Sequence, residues 1–323
     1  MRNNRIYSMQ KSVFLLWVTL CAICSYGQES QTEYNFLRVP VSAHAAATGG
    51  DNISLIEDDE ALIFNNPALL TSVNDKTIFL SYMNYMAGAN MAGAAFNKIL
   101  RERASVALSA QYVDYGKMKQ TDENNTLLGD FSAKDIALSG YFSYLLTDRL
   151  SGGIAAKFIT SSIGSYHSFA VGVDLGLNYY DSEHEWSVSL VGKNLGGQLK
   201  AYNDNYEKMP IEVQAGVSKR ITHTPFRLTA TLVDLTHWNY KALYHLAAGA
   251  DIIITDNIWI GLGYNFRRAN EMTIAGKDDG GSSHLAGFSI GAGLNLERFK
   301  LNLAYGKYHV SSNAFFVNLA YSL

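Results

Sequence analysis

The chain has 323 residues, of which 48% are hydrophobic and 17% charged, and its formal net charge is −3. It is long enough for a large core in one or two domains. After residue 27 it contains no cysteine and no run near the roughly 18 apolar residues that a membrane helix needs. The composition therefore excludes a disulfide framework, a thiolate metal site and a helical membrane domain.

Residues 1–27 have the pattern of a secretory signal peptide. A basic start is followed by the apolar run 13–23, and then by Ser25 and Gly27 as small residues around a cleavage site. Cleavage removes three basic and no acidic side chains, so the formal charge moves from −3 to −6. Both cysteines leave with the peptide, and no nucleic-acid partner is expected for the acidic mature chain.

Residues 28–76 show no strand-like alternation and instead contain three helix starts, each with a capping residue before it. The first helix is rich in alanine, and the third has proline at its first position. The residues that mark these helices are Ser42 and Gly49 for the first, Asp58 or Asp59 for the second, and the motif Asn66, Pro67 and Ala68 for the third.

From residue 77 onward the chain alternates apolar and polar residues in segments of roughly ten, which is typical of membrane β-barrels. In residues 169–177, for example, phenylalanine, valine and leucine occupy every second position. Fourteen strands are predicted near 77–86, 90–99, 103–115, 130–146, 149–161, 166–180, 185–194, 210–220, 226–235, 242–254, 257–268, 284–296, 299–309 and 313–323.

The connections between these segments differ in length on alternate sides. Those after even-numbered strands are short, as at 147–149 and 254–257, whereas long polar loops follow odd-numbered strands at 115–130, 194–210 and 267–284. Short turns on one rim and long loops on the other are a feature of outer-membrane barrels. A soluble β-sandwich has no reason to sort its loops in this way.

The charged residues of the strands fall on the polar face of the alternation, and the opposite face is almost free of charge. A charge that faces lipid costs roughly 2–4 kcal/mol, whereas a charge in the lumen can be paired or hydrated. Four acids and four bases suggest structural pairs that hold a plug to the wall rather than an ion-selective pore. These predicted lumen residues are Asp135, Lys157, Asp174, Lys193, Glu212, Arg227, Asp251 and Arg267.

These observations predict an all-β protein, a transmembrane antiparallel outer-membrane β-barrel of about 14 strands. Its parts are a signal peptide at 1–27, a helical N-terminal hatch inside the lumen at 28–76, and the barrel at 77–323. A barrel of this size has a lumen wider than its own side chains fill, so a compact segment can occupy it. The protein is expected in the outer membrane, in contact with its lipid, with long loops outward and both termini in the periplasm.

The stretch from Phe36 to Leu70, placed between a signal peptide and a barrel of this size, resembles the opening of the PorV/PorQ family of FadL-like outer-membrane barrels. The resemblance implies a non-enzymatic part in the type IX secretion system. The partners it implies resemble PorZ, PorU and PorV, in a complex that attaches secreted cargo to the cell surface. The alternative is a FadL-like channel for small hydrophobic molecules, which needs an apolar path past the hatch.

Other functions have weaker support in the sequence. His237 and His284 lie in loops without a carboxylate or serine at telling spacing, so no enzymatic activity is expected. The acidic run 57–60 is explained by helix capping, and residues 277–283 by a polar loop, so neither a metal nor a cofactor is expected. His44, in the first hatch helix, is expected to be a hydrogen-bonding packing residue.

Overall fold

The computed structural model describes residues 32–323, except 125, 239–240, 256, 273–284 and 310–311. The predicted signal peptide lies outside the described residues. The described chain forms fourteen strands: β1 (Thr77–Asn84), β2 (Asn90–Arg101), β3 (Ala104–Thr121), β4 (Leu127–Leu145), β5 (Leu150–Ile163), β6 (Tyr166–Asp181), β7 (Trp186–Lys200), β8 (Glu212–Arg220), β9 (Phe226–Leu232), β10 (Leu246–Thr255), β11 (Ile258–Asn265), β12 (Phe288–Asn295), β13 (Phe299–Gly306) and β14 (Ala314–Ser322).

The strands form one closed antiparallel barrel. Each strand pairs with the next in sequence, and β14 returns to β1 with Thr77 opposite Ser322 and Asn84 opposite Phe315. Closure leaves no sheet edge with unpaired backbone groups, as a membrane requires. The predicted fourteen-stranded antiparallel barrel is confirmed.

Alternating side chains separate the outer surface from the lumen. On β3, Leu108 points outward and is 70% exposed, whereas its neighbour Ala107 is 3% exposed and faces inward. The predicted outward face of β6 is likewise exposed at Val171, Leu175 and Leu177. An apolar outer belt with a polar interior is the arrangement that a lipid bilayer selects.

The two rims of the barrel differ, and we call them the long-loop rim and the short-turn rim. Turns after even-numbered strands are brief, as at 146–149 and 182–185. Two of the predicted long loops are partly strand: β3 and β4 continue to Thr121 and from Leu127, and β7 continues to Lys200. The period-two pattern did not reveal these extensions because apolar and polar residues do not alternate regularly in them, as at the adjacent Leu127 and Leu128.

The segment 32–76, which we call the hatch, lies inside the barrel and is mostly buried. It contains helix α1 (Ala43–Ala47) and short 3₁₀ helices at Asn35–Arg38, Glu60–Phe64 and Pro67–Ser72. Further short helices occur in the loops: 3₁₀ helices at Met86–Gly88 and Ala242–His245, and α2 at Phe266–Glu271. Among the described residues, no helix has the length and apolar character needed to cross a membrane.

The hatch runs through the lumen from one rim to the other. Thr32 bridges to Lys208 in the β7–β8 loop, at the long-loop rim, whereas Leu323 donates a hydrogen bond to the carbonyl of Lys76 at the short-turn rim. The two ends of the described chain therefore lie at opposite rims. If the long loops face outward, as predicted, this geometry places the C-terminal end on the periplasmic side and Thr32 on the outer side. The location of both termini stays a prediction.

Candidate functional site

The Asn-Pro-Ala motif of the hatch is seated against glycines of the wall. A Cβ atom on Gly153 would overlap the backbone of Pro67 and Ala68, and one on Gly176 would overlap the side-chain oxygen of Asn66. The hatch thus approaches β5 and β6 so closely that only glycine, which has no side chain, fits at positions 153 and 176. We call these two positions the glycine socket. The close approach buries the Pro67–Ser72 helix against the wall and fixes its depth in the lumen.

Asn66 satisfies several polar groups at this seat. Its side-chain oxygen accepts from the Ala68 N–H at 2.9 Å, which caps the helix as predicted. Its amide nitrogen donates to the Ile53 carbonyl at 3.0 Å and to the Ser189 hydroxyl of β7 at 3.2 Å. The motif therefore links two parts of the hatch to the wall, which is a structural role.

A buried network of four charged groups joins the hatch to β9 and β10. His44 Nδ1 lies 2.8 Å from Glu57, and its Nε2 lies 3.2 Å from Asp251. Arg227 contacts the same two carboxylates at 2.7 Å and 2.8 Å. The His44 ring also stacks on Trp259 with centroids 3.5 Å apart. Two cations and two anions balance inside the lumen, so His44 is the polar packing residue that the sequence predicted.

The network sets the ionisation of its hatch members. Burial of His44 lowers its pKa, but Glu57 and Asp251 outweigh that effect and raise the pKa to about 9. Burial raises the pKa of Glu57, but Arg227 and His44 outweigh it and the pKa falls below the ordinary value. Both groups are therefore charged at neutral pH, and the four-residue network is an ionic clamp between hatch and wall.

The other predicted lumen charges have different partners. Lys157 lies 2.6 Å from Asp174 of the neighbouring strand and donates to the Asn194 side chain at 2.8 Å. Asp174 in turn accepts from the Asn194 N–H at 2.7 Å. This cluster lies wholly within the wall. Arg227 and Asp251 thus form ion pairs with the hatch directly. Lys157 and Asp174 instead pair with each other.

Arg267 is not in a strand, which corrects its predicted position. Strand β11 ends at Asn265, whose side chain accepts from the Arg268 N–H and starts α2. Arg267 then reaches Glu271 at 2.8 Å, Asp234 at 3.0 Å and Glu212 at 3.6 Å. Asn265 ends the strand and caps the helix, so the apolar–polar alternation does not continue to Arg267. The prediction that Arg267 lies on the lumen face of a strand was wrong.

Two predicted residues have no ion-pair partner in the described part of the chain. Asp135 on β4 is bound by hydroxyl groups instead, from Ser161 and, at 2.6 Å, from Tyr115. Lys193 on β7 is 7% exposed and lines a narrow hollow beside Asp51 of the hatch. Both side chains face the lumen, as the alternation indicated.

Sequence reasoning missed several polar residues of the hatch. Glu57 completes the ionic clamp, and Asp58 pairs with Lys300 of β13 near the short-turn rim. Glu60 is fully buried, and neither of its carboxyl oxygens has a hydrogen-bond partner among the described residues. Burial, Asp59 and Asp58 raise the pKa of Glu60 to about 8. The acidic run 57–60 signalled helix capping, which only Asp59 performs.

The long-loop half of the lumen is apolar where the hatch begins. Phe36 and Leu37 belong to one buried cluster with inward-facing wall residues, and Tyr34 closes it with hydrogen bonds to Ser168 and Gln198. Trp259 also belongs to this cluster but lies near the short-turn rim. The wall members nearer the long-loop rim are Met83, Met91, Val113, Ala137, Ile159, Ala170, Met209, Ala304, Tyr308, Ala314 and Phe316. We call the space enclosed by these wall residues the apolar chamber.

Two polar cavities flank the hatch. The one at the short-turn rim, of about 220 Å³, is lined by Glu57, Arg227 and Trp259 among others. The one at the long-loop rim, of about 240 Å³, is lined by Arg38, Arg268 and others. The buried turn at Thr48–Gly49 lies against Gly249 and Gly263 of the wall between them. At this turn the hatch therefore lies directly against the wall.

Two groups of side chains in the described part of the chain have compositions found in catalytic or metal sites. His237 does have a carboxylate, Asp234, at 2.7 Å, but Thr236 contacts the same ring nitrogen. A catalytic relay needs partners on opposite nitrogens of the ring. In the described ranges, one trio of potential metal ligands lies close together at the short-turn rim: half-buried Asp181 and the exposed Glu183 and His184. His284 and the loop 277–283 lie outside the described residues.

The fold is shared with solved outer-membrane channels. The chain matches the toluene transporter TodX of Pseudomonas putida at 13% identity, covering 87% of this chain and 97% of that one with a TM-score of 0.55. It matches the CymD monoaromatic hydrocarbon channel at 14% identity, 88% and 98% coverage and a TM-score of 0.60. It matches a Pseudomonas aeruginosa FadL homologue at 11% identity, 87% and 98% coverage and a TM-score of 0.54.

No protein-family model and no curated protein sequence matches the chain. At these identities the structural likeness shows the fold alone, and it is the fold of FadL-like outer-membrane β-barrels.

Proposed function

We propose that this protein is a FadL-like outer-membrane barrel that admits small apolar molecules when the start of its hatch moves. The observation that supports this most strongly is the apolar chamber. Inward-facing residues of a water-filled barrel are polar, but here the long-loop half presents methionine, valine, isoleucine and phenylalanine to the lumen. Phe36 and Leu37 of the hatch cover these residues in the closed state.

An apolar chamber inside a barrel is stable only when something apolar fills it. Burying a phenylalanine or a leucine contributes about 1.5–3 kcal/mol each, so a ligand of similar size can compete with Phe36 and Leu37 for the chamber. Met83, Met91 and Met209 suit such exchange because unbranched thioether side chains adapt to ligands of different shape. The expected ligands are therefore small, uncharged and apolar.

The segment 32–39 is the part of the hatch that can move at least cost. Its polar ties to the wall are the Tyr34 hydroxyl and a backbone hydrogen bond from Glu33 to Lys208. The rest of the hatch is held by the ionic clamp and the glycine socket. We therefore propose that residues 32–39 open the chamber first, and that further movement of the hatch lets the ligand pass.

The similar structures support this class of ligand. TodX is a toluene transporter and CymD a monoaromatic hydrocarbon channel, and both share the barrel over nearly their whole length. Our proposal extends to this chain the general substrate class of those proteins. The chamber supplies the residue-level reason for doing so.

A disulfide between residues 32 and 208 tests the proposal. Thr32 and Lys208 are bridge partners, so cysteines at both positions lie within the spacing that a disulfide spans. The two native cysteines lie in the predicted signal peptide, which leaves the engineered pair alone in the mature protein. We expect cells carrying the oxidised Thr32→Cys/Lys208→Cys protein to lose toluene uptake and to regain it on reduction.

The single variants Thr32→Cys and Lys208→Cys are the matched controls, and both should transport under oxidising and reducing conditions. Uptake that is the same in the oxidised and reduced double variant contradicts the gating role of residues 32–39. A wild-type protein that raises toluene uptake no further than an empty vector contradicts the channel proposal itself.

A second candidate function is attachment within the type IX secretion system, with the protein as a PorQ-like anchor. The observation that favours it is the Phe36–Leu70 stretch, which resembles the PorV/PorQ opening and carries the clamp residues His44 and Glu57. A hatch held by buried ion pairs suits a protein that binds a partner better than a pore whose hatch must move. The structural comparisons support passage more than attachment, so we place this function second.

The β3–β4 hairpin beyond the barrel distinguishes the two candidates. It extends to Thr121 and Leu127 at the long-loop rim and exposes Leu127 and Leu128. An anchor should need this hairpin, whereas a channel should not. Replacing residues 117–131 with a Gly-Ser turn should leave toluene uptake unchanged. Loss of a co-purifying PorZ-like protein from the shortened variant, together with a full-length protein that gives no toluene uptake above the empty vector, would instead support attachment.

A further inference from the structure

Two polar wall residues beside the start of the hatch are oriented by contacts within the wall itself. Ser168 of β6 donates its hydroxyl to the Lys200 carbonyl at 2.9 Å, so its oxygen is left to accept. The Gln198 side-chain oxygen of β7 accepts from the Glu207 N–H at 2.7 Å, which directs the amide nitrogen towards Ser168, 3.2 Å away. The wall therefore presents one hydrogen-bond acceptor and one donor side by side.

Tyr34 of the hatch satisfies this pair with its phenol hydroxyl. Because the Ser168 proton is engaged by Lys200, the Tyr34 hydroxyl donates to Ser168, and it accepts from the Gln198 amide at 3.1 Å. A hydroxyl donates and accepts at a single atom, so it suits both wall residues at once. Tyr34 is 3% exposed and Ser168 is fully buried, so their contact is shielded from water.

Apolar wall residues adjoin the hydroxyl-binding pair. Tyr34 belongs to the same buried cluster as Ile159 and Ala170, which are opposite each other on β5 and β6. Ala170 is also the register partner of Gln198 on β7, so the polar pair lies at the border of the apolar chamber. The chamber therefore combines an apolar wall with a place for one hydroxyl group.

Tyr34 lies on the segment 32–39, which we propose opens first. Its backbone is left-handed, at φ 58° and ψ 35°, a conformation that residues other than glycine rarely adopt, so the contacts of its side chain offset a local strain. When the segment moves away, Ser168 and Gln198 lose their partner, and a buried polar group without a partner is costly. The vacated place favours a ligand like the group that has left, a ring that carries a hydroxyl.

We infer that the preferred ligands of the apolar chamber are small phenols, with Ser168 and Gln198 as the residues that bind the ligand hydroxyl. The inference rests on the proposed channel function and narrows its ligand class. Toluene has a ring of the same size but leaves the Ser168 oxygen and the Gln198 amide unpaired, and a site built to bind a hydroxyl discriminates strongly against an analogue without one. A carboxylate or an ammonium group is also disfavoured, since each can satisfy only one of the two residues.

Calorimetric titration of the full-length protein in a neutral detergent tests the site without requiring transport, with phenol and toluene as the probes. The variant Tyr34→Ala vacates the site and leaves the wall residues intact. We expect it to bind phenol saturably, about tenfold or more tightly than it binds toluene. The wild type should bind phenol more weakly than the variant, because its own Tyr34 competes for the site.

Two further variants locate the preference for phenol. In Tyr34→Ala/Gln198→Leu, phenol affinity should fall about tenfold and toluene affinity should stay the same, because only the hydroxyl loses a hydrogen bond. Leu37→Ala is the matched control, since Leu37 is a buried apolar residue of the same cluster and its removal leaves Tyr34 in place. Any binding by this control should show no preference for phenol. Using one detergent throughout makes the partitioning of each ligand into micelles common to all variants.

The inference is overturned if Tyr34→Ala shows no saturable phenol binding, if it prefers phenol no more than Leu37→Ala does, or if the preference survives Gln198→Leu. Should Tyr34→Ala fail to fold, Tyr34→Phe decides, because it keeps the ring of the hatch but leaves the wall pair without a hydroxyl. Phenol should bind that variant about tenfold more tightly than the wild type. Equal affinity contradicts the site.

Failure of the channel proposal gives a different result. If Tyr34→Ala prefers phenol as expected but the wild type raises the uptake of neither phenol nor toluene above an empty vector, the site binds phenols and the channel proposal is wrong. If the wild type raises toluene uptake but Tyr34→Ala shows no preference for phenol, the channel proposal stands and the phenol site is contradicted.

Discussion

Gly176 of the wall and Asn66 of the hatch are so close that a side chain at position 176 would overlap the amide oxygen of Asn66. This contact ties the Asn-Pro-Ala motif to strand β6. It explains why a short motif, which recurs by chance in many sequences, has a defined place in this fold.

The variant Gly176→Ala should therefore loosen the hatch. Because Asn66 or the strand must shift to admit the methyl group, we expect a loss of about 1–3 kcal/mol of stability. Gly197→Ala on β7 is the control, since a Cβ there meets nothing within 4 Å. Thermal unfolding followed on a semi-native gel should show a lower midpoint for Gly176→Ala alone. Equal midpoints for the two variants would mean that the socket does not position the motif.

Breaking the ionic clamp should release the hatch without opening the barrel. In Arg227→Gln, Glu57 and Asp251 lose one of their two shared cations, and His44 alone cannot balance both carboxylates. An uncompensated buried charge costs about 3 kcal/mol or more, reduced here by lumen water. Limited proteolysis in detergent should then cleave within residues 32–76 faster than in the wild type. Lys157→Met is the comparison, because its partner Asp174 lies in the wall. Similar hatch cleavage in both variants argues against a specific clamp.

Stability should fall as the pH rises, because Glu60 is buried with a raised pKa. Its pKa is about 8 in the folded protein against an ordinary 4.5, so the folded state holds a proton that the unfolded state releases. The stabilisation is complete below pH 4.5 and is lost as the pH rises through 8. His44, with its pKa raised to about 9, loses its contribution in the same direction between 6.5 and 9.

The variant Glu60→Gln isolates the part due to Glu60. The amide stays neutral at every pH, so its advantage over the wild type in thermal midpoint should grow from pH 5 to pH 9. An advantage that is constant over this range would show that Glu60 is ionised in the folded protein at neutral pH.

The orientation of the barrel can be read from tags at its two rims. We expect an epitope at Asn124, in the β3–β4 hairpin, to be labelled in intact cells and one at Asp148, in a short turn, to be labelled only after permeabilisation. Since Thr32 lies at the long-loop rim, an epitope just before it should behave as the one at Asn124 does. Labelling of Asp148 alone in intact cells reverses the proposed orientation.

The barrel could be predicted from sequence because each strand buries one face, which imposes a period of two on the chain. This held even for β2, where the small residues of the run 92–95 make the two faces hard to tell apart. Arg267 was misplaced because Asn265 is as compatible with a strand end as with a helix cap. The strand pattern does not encode which charges meet, so Glu57 was missed as the partner of Arg227.

The hatch contacts the barrel wall at the seam, the junction where β14 pairs with β1. Asn318 of β14 accepts from the Ala43 N–H and donates to the Val41 carbonyl of the hatch, while Thr77 and Ser322 join the strands themselves. The hatch is covalently continuous with β1 through Lys76 and hydrogen-bonded to β14 through Asn318, so it links the two strands. The seated hatch therefore adds contacts of its own to the strand pairing that holds β14 beside β1.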